Sequence, residues 1–125
     1  MSVSLSNISL ETYVQMVSAA TKIINKAENF FSENNISTKD IVEMQLYKDM
    51  APFKFQVFSI VHHSVGAIEA LKTGEFGPPK MPDNLDFDSL KTMLLDAEEK
   101  LKNTDPAEID SLAEKDVIFK MGTIE

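Results

Sequence analysis

The most constraining feature of the sequence is the apolar run between Pro52 and Lys72, whose apolar positions recur every three and four residues. This spacing is typical of a helix with one wide buried face. Pro52 suits a first helical turn because its missing N–H is not needed there, and the carboxylate of Asp49 can accept from free N–H groups. The spacing therefore predicts one continuous helix over residues 52–72. Its buried stripe consists of Phe53, Val57, Ile60, Val61, Ser64, Ile68 and Leu71.

The only two histidines of the chain, His62 and His63, lie late in this predicted helix. Successive residues of a helix point about 100° apart, so the two imidazoles fall on opposite shoulders of the apolar stripe. This divergence places them poorly for binding one ion together. Phe55 and Phe58 share a shoulder with His62, which indicates either packing against another helix or one wall of a small-molecule cavity.

A first long helix is predicted upstream, from residue 9 or 10 to about residue 34. The Asn34–Asn35 pair suits the left-handed conformation that often ends a helix. Ser9 is expected to cap this helix, and Ser37 to cap a short helix over residues 38–44. An additional apolar stripe shows that the first helix should meet more than one neighbour. This additional stripe includes Met16, Ile23 and Phe30.

A glycine- and proline-rich segment over residues 74–84 cannot continue a helix and is long enough to cross one end of a bundle. Asp86 follows as a good N-cap for a third long helix over residues 87–101. The inward stripe of this helix is predicted to be Phe87, Leu90, Leu94, Ala97 and Leu101.

The remaining residues favour short elements. Residues 107–115 favour a weak helical turn, and Asp116–Lys120 favours a strand. The Met121–Gly122 pair resembles a turn, after which Thr123–Glu125 opens a second arm of a hairpin. We therefore expect an all-α domain over residues 1–125, with three long helices, a crossover and a short C-terminal extended or hairpin segment.

Composition excludes several functions. The net charge of −8 disfavours binding to nucleic acid or to anionic membranes, which need basic surfaces. The sequence has no apolar run of the ~20 residues that a membrane-spanning helix needs, and no secretory signal. The absence of cysteine excludes disulfides, thiolate nucleophiles and zinc–sulfur sites. The expected compartment is the cytoplasm.

The chain resembles a family of unknown function within the DinB-like superfamily of four-helix bundles. The most specific part of the resemblance runs from Leu46 through Asp49–Met50, Pro52–Phe53 and Gln56–Val57 to His63. It matches a family pattern of Leu-x-x-Asp-Met-x-Pro-Leu-x-x-Gln-Val followed by a histidine. Supporting matches are Lys26–Glu28, the Gly74 crossover, Phe87 with Leu90, and the tail after Pro106.

The resemblance implies an up-down bundle with a long crossover and, in many members, a divalent metal such as Zn, Ni or Fe bound by three histidines. His63 matches one ligand, while His62 stands where an acidic residue is commoner. The other two ligands would lie on a fourth helix, and this sequence has no such segment. A complete site at His63 would therefore need Asp, Glu or His ligands from another helix, from a second subunit, or from residues outside this sequence.

Two functions remain open at this point, and the sequence does not decide whether the protein is an enzyme. The first is an oligomeric binding or structural protein with a degenerate or incomplete metal site, in which a second chain covers the apolar groove left by three helices. The second is a metal-dependent transferase- or hydrolase-like enzyme with His63 as one ligand. The expected partners are a second copy of the chain and a small-molecule ligand.

Overall fold

Apolar residues spaced three and four apart form the helices of this protein. The computed structural model describes residues 2–122. Within them the fold is all-α apart from two very short strands. This confirms the predicted fold class. The helices are α1 (Leu5–Ile8), α2 (Leu10–Glu33), α3 (Thr38–Val42), α4 (Phe53–His62), α5 (Val65–Thr73), α6 (Phe87–Lys102) and α7 (Pro106–Asp110). The strands are β1 (Glu75–Phe76) and β2 (Ile118–Phe119). No helix within residues 2–122 is long and apolar enough to cross a membrane.

Helix α6 is the centre of the core. It begins as predicted at Asp86, whose carboxylate accepts from the Ser89 N–H at 2.7 Å. The predicted inward stripe is buried along its whole length, because α6 packs against α2 on one side and against α3 and α4 on the other. Its buried residues are Phe87, Leu90, Leu94, Ala97 and Leu101.

The predicted continuous helix over residues 52–72 is wrong, because it is divided into α4 and α5 at His63–Ser64. The Ser64 hydroxyl donates to the Ile60 carbonyl at 2.7 Å, which is the carbonyl that a regular helix would give to the Ser64 amide. The Ser64 amide instead lies 3.3 Å from the Val61 carbonyl. Serine that bonds back in this way bends helices, and here the buried hydroxyl interrupts one.

The predicted N-cap positions of Ser9 and Ser37 are confirmed, although neither side chain forms a cap hydrogen bond, and the predicted cap by Asp49 is wrong. The Ser9 hydroxyl donates to the Leu5 carbonyl at 2.6 Å, and Ser9 has nearly the same backbone angles as Ser64, so it separates α1 from α2. Ser37 occupies the N-cap of α3 without a side-chain bond. Pro52 is the N-cap of α4, and the Phe53 N–H donates to the Met44 carbonyl, so Asp49 does not cap this helix.

The predicted C-terminal strand over Asp116–Lys120 is present as β2, and it pairs with the crossover. Strand β2 runs parallel to β1, with the Ile118 N–H donating to the Gly74 carbonyl at 2.9 Å and the Lys120 N–H to the Phe76 carbonyl at 2.7 Å. Gly77 permits this approach, since a Cβ there would lie 2.8 Å from the Lys120 carbonyl oxygen. The predicted second arm, Thr123–Glu125, lies outside the described residues.

Glu98 provides a pH test of the contact between α2 and α6. Its carboxylate accepts from Lys102 at 2.6 Å and from the Ser18 hydroxyl at 3.0 Å, and these bonds lower its pKa below the usual 4.5. A lowered pKa stabilises the fold above about pH 4.5, and this contribution is lost as pH falls through the folded value. We expect urea denaturation to show a lower free energy of unfolding as pH falls below this value. Glu98→Gln should make this decrease smaller.

At pH 7, Glu98→Gln should lower the free energy of unfolding by roughly 0.5–1.5 kcal/mol, because the ion pair with Lys102 is lost and the hydrogen bond from Ser18 becomes a neutral one. The matched control is Glu99→Gln, since Glu99 is exposed on the same turn and makes no hydrogen bond across to α2 within the described chain. An equal loss in both variants would contradict the role given to Glu98.

Candidate functional site

A wholly apolar groove lies between α2 and α4. Both helices pack on α6 but make few close approaches to each other, so a recess of about 340 Å³ remains above Leu94. Its lining contains only apolar residues. They are Ala20, Ile23, Ile24, Ala27 and Phe31 of α2, Ile41 and Met44 from α3 and its loop, Phe53, Val57 and Ile60 of α4, and Leu94 of α6.

The additional stripe of α2 borders this groove. Met16, Ile23 and Phe30 recur every seven residues, and each leaves more than half of its surface in water, with Ile23 68% exposed. The sequence predicts a second neighbour for this stripe. Within residues 2–122 no helix covers it, so α2 presents an apolar face without a partner there.

A smaller apolar hollow of about 240 Å³ extends the groove beyond α3. It shares Ile41, Met44 and Phe53 with the groove, and the loop after α3 supplies Leu46 and Met50. Leu46 is 88% exposed, which is unusual for a leucine. The groove and hollow therefore form one continuous apolar surface.

His63 lies on the exposed side of α4, one turn after Ile60. Its Nδ1–H donates to the Ser59 carbonyl at 2.8 Å, and Nε2 has no hydrogen-bond partner within the described residues. A backbone carbonyl on one ring nitrogen holds the tautomer that leaves a lone pair on the other. His63 therefore presents Nε2 as a free acceptor on the exposed side of α4.

His62 has a different environment, because its ring is half-buried between aromatic rings. Phe76 stacks on it with ring centroids 4.7 Å apart, and Phe58 lies on a nearly parallel plane at 6.3 Å. Its Nε2–H donates to the Gly77 carbonyl at 3.0 Å. His62 thus attaches the crossover, and through β1 the strand β2, to the end of α4.

The comparison with known families supplies the identification. The profile described as Domain of unknown function (DUF1993) matches residues 5–125. The chain belongs to this family. No curated protein and no solved structure is significantly similar to this DUF1993 chain. Membership does not assign an activity, so the function is inferred from the site itself.

The predicted site residues of this DUF1993 chain are only partly brought together. The rings of His62 and His63 meet edge to face at 5.1 Å, but Nε2 of His62 is occupied by Gly77. Among residues 2–122 no three His, Asp or Glu side chains converge in a way that could hold a metal ion. Phe58 joins the aromatic cluster of His62, whereas Phe55 is half-buried and outside that cluster.

The sequence did not predict that Phe76 and the Gly77 carbonyl of the crossover would contact His62. Phe76 lies between Gly74 and Gly77 in a segment predicted only as a crossover. An aromatic residue flanked by two glycines was the available signal, since glycine permits close backbone approach. Nothing local predicts that this segment returns to His62, because the contact depends on the path of the whole crossover.

The adjacent histidines give a matched pair of stability variants. His62→Ala should lower the free energy of unfolding by about 1–3 kcal/mol, because it removes aromatic stacking and leaves the Gly77 carbonyl without its donor. His63→Ala removes an exposed ring and should change it by no more than about 0.5 kcal/mol. Urea denaturation followed by circular dichroism measures both, and a larger effect at His63 would contradict the assignment.

Proposed function

We propose that this protein is an oligomeric, DinB-like binding protein of the cytoplasm, and that the α2–α4 groove is its binding surface. The observation that carries the proposal is the wholly apolar recess above Leu94, bordered by the exposed face of α2. Contiguous exposed apolar surface of this kind commonly marks a protein or ligand interface. The site at His63 is then the incomplete remainder of a metal site.

The dimensions of the groove suit a helix. The α2 wall from Ala20 to Phe31 is about 16 Å long at 1.5 Å per residue, which matches a partner helix of about three turns. Apolar residues every three or four positions on such a helix would fill the recess. Each Å² of apolar surface removed from water would contribute ~25 cal/mol before the cost of association is subtracted.

Ile23→Asp tests the groove. The side chain is 68% exposed, so the substitution should leave the monomer folded while placing a charge in the interface. We expect light scattering at micromolar concentration to show an oligomer for the original chain, and a dissociation constant at least about tenfold higher for the variant.

Leu95→Asp is the control, because Leu95 is 49% exposed on α6 and does not line the groove. It should leave the oligomer unchanged. A monomeric mass for the original chain, with Ile23→Asp indistinguishable from it, would overturn oligomerisation through the groove. A small apolar molecule in the recess would then become the favoured occupant.

One observation favours a second function, that of a metal-dependent transferase- or hydrolase-like enzyme. His63 presents Nε2 to solvent while Nδ1–H is held by the Ser59 carbonyl, the arrangement usual for metal-binding histidines. Residues 2–122 do not complete a ligand set, so this function requires ligands from outside those residues, such as another chain. For that reason we derive no catalytic step.

Elemental analysis of protein purified without chelator tests this alternative. If His63 is a ligand, one divalent metal should accompany each chain, and His63→Ala should remove it with little change in the free energy of unfolding, because His63 is exposed. His62→Ala is the informative comparison, since Nε2 of His62 is already bonded to Gly77. Equal metal content in the original chain and His63→Ala would contradict the enzyme hypothesis.

A further inference from the structure

A separate apolar cavity lies between α2, α5 and the paired strands. It has a volume of about 300 Å³ and shares no lining residue with the α2–α4 groove. Leu5 of α1 and Val117 beside β2 contribute to the same lining. We call this space the strand cavity, because Phe76 of β1 and Phe119 of β2 form one of its walls.

Small residues on α5 leave room in the strand cavity. Ala67 and Ala70 lie three positions apart, so they share one face of the helix, and both line the cavity. Phe76 and Phe119 are paired in register across the two strands, and their rings lie 6.1 Å apart. Backbone hydrogen bonds between the strands, and the stacking of Phe76 on His62, hold this aromatic wall in place. The cavity is therefore already formed in the single chain.

The lining of the strand cavity carries no aspartate, glutamate, lysine or histidine. Its only side-chain polar groups are the hydroxyls of Ser9 and Tyr13. The Ser9 hydroxyl donates to the Leu5 carbonyl. The half-buried Tyr13 forms no side-chain hydrogen bond within residues 2–122, so its hydroxyl is available to a ligand.

We propose that the strand cavity binds a small neutral aromatic molecule that carries one hydroxyl or carbonyl group. Aromatic rings attract each other at centroid separations of about 4.5–7 Å, so the ligand ring would pack on Phe76 and Phe119. Its polar group would bond the Tyr13 hydroxyl, which can donate or accept. The inference concerns a different site from the groove and does not rest on the proposed function.

Charge and size narrow the class of ligand further. A charged group in the cavity would lose water without gaining a partner of opposite charge, which is costly. The net charge of −8 additionally disfavours anions. The volume lies at the lower end of the roughly 300–1,000 Å³ that is usual for small-molecule sites, which suits one or two rings.

The first test measures the affinity of the full chain for 2-naphthol, a neutral two-ring molecule with one hydroxyl, by equilibrium dialysis. Ala67→Leu places a larger side chain in the strand cavity and should raise the dissociation constant at least about tenfold. Ala27→Leu is the matched control, because Ala27 lines the α2–α4 groove instead. It should change the constant by less than about twofold. Circular dichroism checks that both variants are folded.

A second variant tests the hydrogen bond and does not require Ala67→Leu to fold. Tyr13→Phe removes only a hydroxyl without a partner in residues 2–122, so the fold should be retained. The dissociation constant of naphthol should rise about three- to tenfold, because one hydrogen bond is lost. Naphthalene has the same rings without the hydroxyl, and its constant should not change. Naphthoate, the anionic relative, should bind the original chain at least about tenfold more weakly than naphthol.

The outcomes separate this inference from the proposed function. Absence of naphthol binding up to about 1 mM would overturn the strand cavity as a ligand site. Binding that Ala27→Leu weakens and Ala67→Leu does not would overturn it as well. An equal effect of Tyr13→Phe on naphthol and naphthalene would overturn the hydrogen bond. None of these results depends on the mass of the chain in solution, which Ile23→Asp tests.

Discussion

The burial of α6 is the interaction on which the rest of the structure depends. Its stripe from Phe87 to Leu101 contacts α2 on one side and α3 and α4 on the other, so the single helix joins both sides of the core. Two apolar clusters meet along it. One includes Val57 and Leu94, the other includes Val17 and Leu101, and Val61 packs against both.

This arrangement also explains why the groove exists. Because α2 and α4 both pack on α6 and make few close approaches to each other, a recess stays open above Leu94. The residues there still have the apolar character of a core, as the exposed Ile23 shows. A sequence that keeps core residues on an open face is consistent with a further layer of packing, and the proposed oligomer would supply it.

The break between α4 and α5 determines what each histidine can do. Ser64 takes the Ile60 carbonyl, and the chain changes direction next to both imidazoles. His62 then faces the crossover and is occupied by packing, while the exposed His63 donates to the Ser59 carbonyl. The two adjacent histidines therefore have different chemistry, because His62 contacts the distant crossover whereas His63 donates to a carbonyl of its own helix.

The sequence by itself determined the helices whose apolar residues are regularly spaced. It predicted α2 to within a residue at each end, the buried stripe and N-cap of α6, and the end of the helix at Gly74. All three features depend on periodicity and local backbone preferences. Periodicity could not reveal the interruption at Ser64, since a buried serine fits an apolar stripe until its hydroxyl finds a carbonyl.

Only the tertiary structure decided which faces meet. The parallel pairing of β1 with β2, the attachment of Phe76 to His62, and the open recess above Leu94 all join residues far apart in the chain. His63 was identified as a candidate ligand from the sequence, but its free Nε2 depends on the Ser59 carbonyl of the folded helix. Local patterns specify which residues avoid water, whereas the path of the whole chain determines which neighbours cover them.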